Sequence, residues 1–236
     1  MQLSSPTAHE LFCTKPGYVE LNVKEHERVK FDPYEYTGVI VPGSVLVITL
    51  ALIFPELLPS ITNTLSLGDL GLMLILAFIA GHFVQAGGNA WEFIVWKCLG
   101  GWPTETVMSA SSNLLNQEQR ERLQLKLAAD FGENTATAFG EGRGQMRELF
   151  VHIRQHGSVE RVEKFNRTYG LMRGTAVAFL LAATMVLGFH RDKYSIALLL
   201  AATALVFTTR MIRFGRHYAR EAFAEYLRTP PSSPAE

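Results

Sequence analysis

Four polar residues inside one long apolar run are the chain's sharpest chemical feature: His82, Gln85, Asn89 and Glu92. Steps of three, four and three place them on one face of a helix. Ionisable groups inside a bilayer are costly and usually mark ion paths, proton relays or enzyme sites. The simpler reading is hydrogen bonding between packed helices, at roughly 0.6–2 kcal/mol per contact. Depth favours that reading. A helix entering near Leu67 has risen about 22 Å by His82, and the hydrocarbon core is ~30 Å thick. Asn89 and Glu92 then fall at the far boundary, beside Trp91 and Trp96. His82 and Glu92 are ten residues apart, too far along one helix to share a metal. No His-Glu-x-x-His pattern occurs, so neither a metal nor a cofactor is expected.

A second set is basic. Arg210, Arg213, Arg216 and Arg220 follow the last apolar run, and the final three share a helix face. With Arg173, which precedes the third run, they form a collar. Its minimal role is topological, contacting anionic headgroups at ~1 kcal/mol per charge. Its functional reading is a site for a phosphorylated lipid or a nucleotide. The spacing from Arg147 to His152 is similar to the Arg-x(4–6)-His pair of certain ribonuclease domains. Fifteen Arg and seven His give about one such match by chance, so no nuclease follows from it. Serine nucleophile elbows, phosphate-cradling glycine loops and dinucleotide fingerprints are absent from the sequence. Gly140, Gly142 and Gly144 read as a connection.

The elements that must hold these residues are four apolar runs around a charged middle: 36–54, 67–96, 174–189 and 194–212. About 20 helical residues cross a bilayer, so three runs suffice comfortably and the third is short. The expected fold is an all-α integral membrane protein with four transmembrane helices in two hairpins. A cytoplasmic helical insertion separates the second and third, and the fourth continues as a cytoplasmic extension. The divisions are an N-terminal arm at 1–31, helices one and two at 32–98, and a helical segment at 99–166. Helices three and four follow at 167–212, the extension at 213–227 and a disordered tail at 228–236. A short strand is expected near 17–23. Asp32-Pro33 and Ser66 with Asp69 are helix starts, Pro42-Gly43 is a kink site, and Gly100-Gly101 is a stop.

Basic residues orient the chain. Four lie in the arm, eleven between Lys97 and Arg173, and five from Arg210 onward, against two in the loop at Arg191 and Lys193. The positive-inside rule then puts both termini and the middle segment in the cytoplasm of a multi-pass cell-membrane protein, the inner membrane if the source is bacterial. Equal numbers of acids and bases give zero net charge, so no nucleic-acid partner is expected. Cys13 and Cys98 supply no disulfide framework. The functional expectation is a non-enzymatic, self-associating membrane protein whose cytoplasmic segment senses a ligand or partner: a channel, a membrane-perturbing effector or a sensor, of the kind used in bacterial stress or phage defence. Membrane lipids, further copies of the chain and a cytosolic protein are the expected partners. The alternatives are a lipid-modifying enzyme using His82 and Glu92, or an anchor for a cytosolic partner bound through residues 103–165.

Overall fold

Helix-forming signals written at the chain's element ends reappear in a computed structural model, which describes residues 33–55, 66–108, 112–132 and 143–230. All regular structure among the described residues is helical. The main helices are α1 (Pro33–Ile53), α2 (Leu67–Cys98), α3 (Gln117–Phe131), α4 (Arg143–His156), α5 (Glu160–Phe189) and α6 (Tyr194–Arg228). The expected strand near 17–23 and most of the loop after Pro55 lie outside the described residues.

Ser66 starts α2 as anticipated. Its hydroxyl accepts from the Asp69 N–H at 3.2 Å, and the Asp69 carboxylate accepts from the Ser66 N–H at 3.0 Å. Each satisfies a backbone donor that the first helical turn leaves unpaired. At the other end Gly100 and Gly101 take φ of 90° and 119°, a region open to glycine, and turn the chain out of the helix. Asn116 and Gln119 form a second reciprocal cap that opens α3.

Among the described residues three helices are long and apolar enough to cross a membrane: α2, α5 and α6 with its short 3-10 lead-in. The corresponding apolar part of α1 is Gly38–Ile53. Helix α1 packs against α2 and α5, and α5 packs along α6. Among the described residues four cores succeed one another. Ile53, Val186 and Ala197 occupy one end, followed by Leu46, Val84, Val177 and Ala178. Val95, Trp96, Tyr169 and Met211 come next. The charged end has the largest core, in which Leu123, Leu127, Leu149 and Ile153 surround Phe223 and Tyr226.

Helix α5 has 30 residues and α6 has 35, about 45 Å and 52 Å at 1.5 Å per residue. Both exceed the ~30 Å of a hydrocarbon core and continue into the charged end without a break. The first residues of the expected disordered tail, 228–236, are ordered. Arg228 closes α6, and Thr229 is buried, its backbone oxygen and hydroxyl both accepting from Lys126. A cation there satisfies the carbonyls that a helix C-terminus leaves open. Residues 231–236 lie outside the described part.

Candidate functional site

Pro42 sits inside α1, and its missing N–H leaves the Gly38 carbonyl without the donor a helix would normally supply four residues on. Gln85 of α2 fills that gap: its Nε2 donates to the Gly38 oxygen at 2.7 Å. The neighbouring Gly43 lets the two backbones meet. A Cβ there would stand 1.8 Å from the Ala77 oxygen, and one on Gly81 would stand 2.1 Å from the Val39 oxygen. The anticipated kink site is therefore a crossing point, where small residues and a borrowed hydrogen bond seat α1 on α2.

The same glutamine accepts from Arg173 Nη2 of α5 at 3.1 Å. Arg173 Nη1 pairs with Glu92 Oε2, while Glu92 Oε1 accepts from the Tyr169 hydroxyl. Tyr169 in turn accepts from Trp96 Nε1 at 2.8 Å. Arg173 and Glu92 keep only 19% and 10% of their side-chain surface. Removed from water, such charges need one another and every available hydrogen bond. A continuous chain of contacts thus runs from Gly38 through Gln85, Arg173, Glu92 and Tyr169 to Trp96.

The sequence stripe is divided by this arrangement. At about 100° per residue its four members cover about 80° of arc. The edge of α2's buried face, which carries Ala77, Gly81, Val84, Gly88 and Val95, runs between them. Gln85 and Glu92 turn inward. His82 and Asn89 turn outward and are exposed, the His82 ring T-shaped to that of Phe78 with centroids 4.7 Å apart. His82 and Glu92 are about 15 Å apart along the helix and do not meet. Glu92 already accepts from two partners, and among the described residues no three His, Cys, Asp or Glu side chains converge as a metal site would require. The geometry builds a junction in which Gln85, Glu92 and Tyr169 are each held by partners from other helices.

Arg173 also leaves the collar to which its position in the sequence assigned it. It lies on the α5 face that meets α2, with its Nε 3.2 Å from where a Cβ on Gly88 would stand. Arg210 is exposed and lies over the Phe214 ring. Arg213, Arg216 and Arg220 behave differently. Together with His217 they line a cleft of about 640 Å³ between α6 and residues from the stretches 99–106 and 112–114. Arg220 holds the opposite wall, its Nε donating to the Leu114 oxygen at 3.1 Å. His217 stacks on Phe165, with ring centroids 5.5 Å apart. Trp96 forms part of the lining and rests on Gly215, where a Cβ would approach its Cζ2 to 2.7 Å. The last member of the buried polar chain is thereby also a wall of the basic cleft.

A separate polar group lies in the charged end. Tyr226 donates to Asp130 Oδ2 at 2.7 Å, and His152 Nε2 is 4.0 Å from the same oxygen. Burial, then the Asp130 hydrogen bond and charge, push the Tyr226 hydroxyl well above its ordinary value. Desolvation lowers Lys126, partly opposed by Asp130. Arg147 is exposed while His152 is buried in this core, so the Arg147–His152 spacing does not assemble a shared site. No known protein family, curated protein or solved structure matches this chain.

Proposed function

We propose that this is a non-enzymatic multi-pass membrane protein in which a cytoplasmic helical end is mechanically coupled to a transmembrane bundle. The observation that carries the reading is the continuity of α5 and α6, which contribute side chains to the apolar cores and to the charged-end core alike. A rotation or tilt imposed on the charged end has no hinge in either helix at which to dissipate. In this reading α1 is a fourth span: its Gly38–Ile53 stretch covers about 24 Å, and it is seated in the bundle through Pro42 and Gly43. The distribution of basic residues supports cytoplasmic termini in a cell membrane.

Self-association belongs to the same proposal. His82 and Asn89 are exposed on α2 among Ile75, Phe78, Ile79 and Phe83. A polar side chain turned toward lipid, as His82 is, is unfavourable, and a second copy brings it and Asn89 at the boundary donors and acceptors. Several such faces around an axis line a conduit, which suits a channel or membrane-perturbing effector better than a lipid-modifying enzyme. The acid–base pair that such an enzyme would use is not brought together in one chain.

Dye release from liposomes tests the reading. The wild-type chain releases dye in proportion to its density, and the His82→Leu, Asn89→Leu double variant loses both release and higher mass in detergent. Release that is equal in the two, or absent from the wild type at every density, overturns the conduit. Topology is read independently from Cys98, which is exposed. In a Cys13→Ser background, an impermeant maleimide labels inside-out vesicles and spares right-side-out ones.

A further inference from the structure

The cleft along α6 is amphipathic in a particular direction. Its α6 wall follows Thr209, Ile212, Arg213, Arg216, His217 and Arg220. These are steps of three, one, three, one and three along a single face, spanning about 16 Å. The end nearer the apolar bundle has Thr209 and Ile212, and the end nearer the charged core has Arg216, His217 and Arg220. Asn113 and Ser112 face them from the opposite wall. No acid lines the cleft among the described residues, and Arg213 and Arg216 make no ion pair there. This contrasts with the rest of the charged end, where Arg122, Arg161 and Arg167 each meet a glutamate.

We infer that this cleft binds a phosphomonoester group, presented by an anionic phospholipid whose glycerol end lies toward Thr209 and Ile212. Guanidinium groups form paired, charge-assisted hydrogen bonds with phosphate oxygens. Arg213 and Arg216, whose donors are not committed to the opposite wall, match the two charges of a monoester. Arg220, also without an acid, directs its donors to the Leu114 and Asn113 oxygens. Ser112 and Asn113 add side-chain donors for its remaining oxygens. A phosphodiester carries one charge and leaves a guanidinium unmatched. The apolar end distinguishes a lipid from a free phosphate, because a soluble anion has no use for Ile212. The inference rests on the membrane reading for the source of the ligand, and not on self-association or on the number of spans.

The test is calorimetric titration of the purified full chain in detergent at fixed ionic strength. Dihexanoyl phosphatidic acid is the monoester probe, dihexanoyl phosphatidylglycerol the diester, and inorganic phosphate the free anion. Saturable binding of phosphatidic acid is expected, weakened about tenfold or more in Arg213→Gln, Arg216→Gln. Arg210→Gln removes a charge outside the cleft and is expected to change affinity less than about twofold. Both arginines are exposed, so the double variant should melt at the wild-type temperature without ligand, which separates lost binding from lost folding. Weak binding of inorganic phosphate beside tight binding of phosphatidic acid supports the lipid source. Equal affinity for the two keeps the phosphate site and overturns the lipid assignment. Equal binding of both lipids, equal loss with Arg210→Gln, or no saturation overturns the site. Because the probe is soluble and the protein is in detergent, failure here leaves the topology and dye-release results standing.

Discussion

The apolar bundle and the charged end are built on opposite plans. In the charged end, Leu123, Leu127, Leu149, Ile153 and Phe223 are fully buried, and pairs such as Arg122–Glu118 lie outside. In the bundle, large side chains point outward: Leu52, Phe83, Leu198 and Leu199 are all more than two-thirds exposed. Inside it are Gly43, Ala77, Gly81, Gly88 and Gly174, with an ion pair among them. Water rewards removal of apolar surface, and that supplies the charged end with its core. Lipid gives no such reward, so helices there hold together by close backbone approach and by hydrogen bonds that have no competitor.

Substitutions that change size rather than polarity therefore separate the two regions most sharply. Gly81→Leu inserts a side chain where a Cβ is already 2.1 Å from the Val39 oxygen. The loss should reach or exceed the ~3 kcal/mol upper end typical of overpacking, read as the disappearance of folded chain in detergent. An equivalent enlargement at exposed Leu125 of the charged end should leave melting unchanged.

Phe223→Ala is the converse, hollowing the water-facing core at a cost of about 3–5 kcal/mol. Glu92→Leu strands Arg173 and should cost a similar ~3–5 kcal/mol. The double change Glu92→Leu, Arg173→Leu should recover much of the latter loss. If it recovers nothing, the pair contributes through its shape and not its charges.

A smaller effect, about 1–2 kcal/mol, is expected for Gln85→Leu, which leaves the Gly38 carbonyl unpaired. Adding Pro42→Ala restores an N–H in α1, so the double variant should be less damaged than the sum of the single changes. A strictly additive result would show that the Gln85 bond does not answer the proline.

The smallest effect is one of pH. Because burial and Asp130 raise the Tyr226 hydroxyl in the folded state, the unfolded chain loses that proton first, near its ordinary 10.0. Its contribution is complete below pH 10.0 and is lost as pH rises toward the higher folded value. Denaturant melts above that pH should fall less steeply for Tyr226→Phe than for wild type.

Local signals carried the reading from sequence furthest where backbone ends are satisfied nearby. Ser66 with Asp69, the Gly100-Gly101 stop and the long runs of α5 and α6 are legible because their physics is contained within a turn or a period. The polar stripe was legible as a face, but not as two halves, since periodicity does not tell which neighbour covers it. Arg173 was misplaced for that reason: a basic residue beside an apolar run reads as an outward anchor until Glu92 from another helix claims it. Tyr169 gave no signal at all. The cleft's second wall comes from irregular chain around Pro103 and Asn113, for which no periodic pattern exists. One missed contact had left a trace. A proline at 42 announces an orphaned oxygen at 38, and the amide at 85 was already in hand.

That trio implies something about descent. Where a related lineage replaces the proline with any residue bearing an amide hydrogen, the side chain at 85 loses one of its two duties and its identity should relax, whereas a lineage retaining the proline should hold a long-armed donor there. The paired drift of two positions 43 apart in the chain would record a debt incurred in one helix and settled by another.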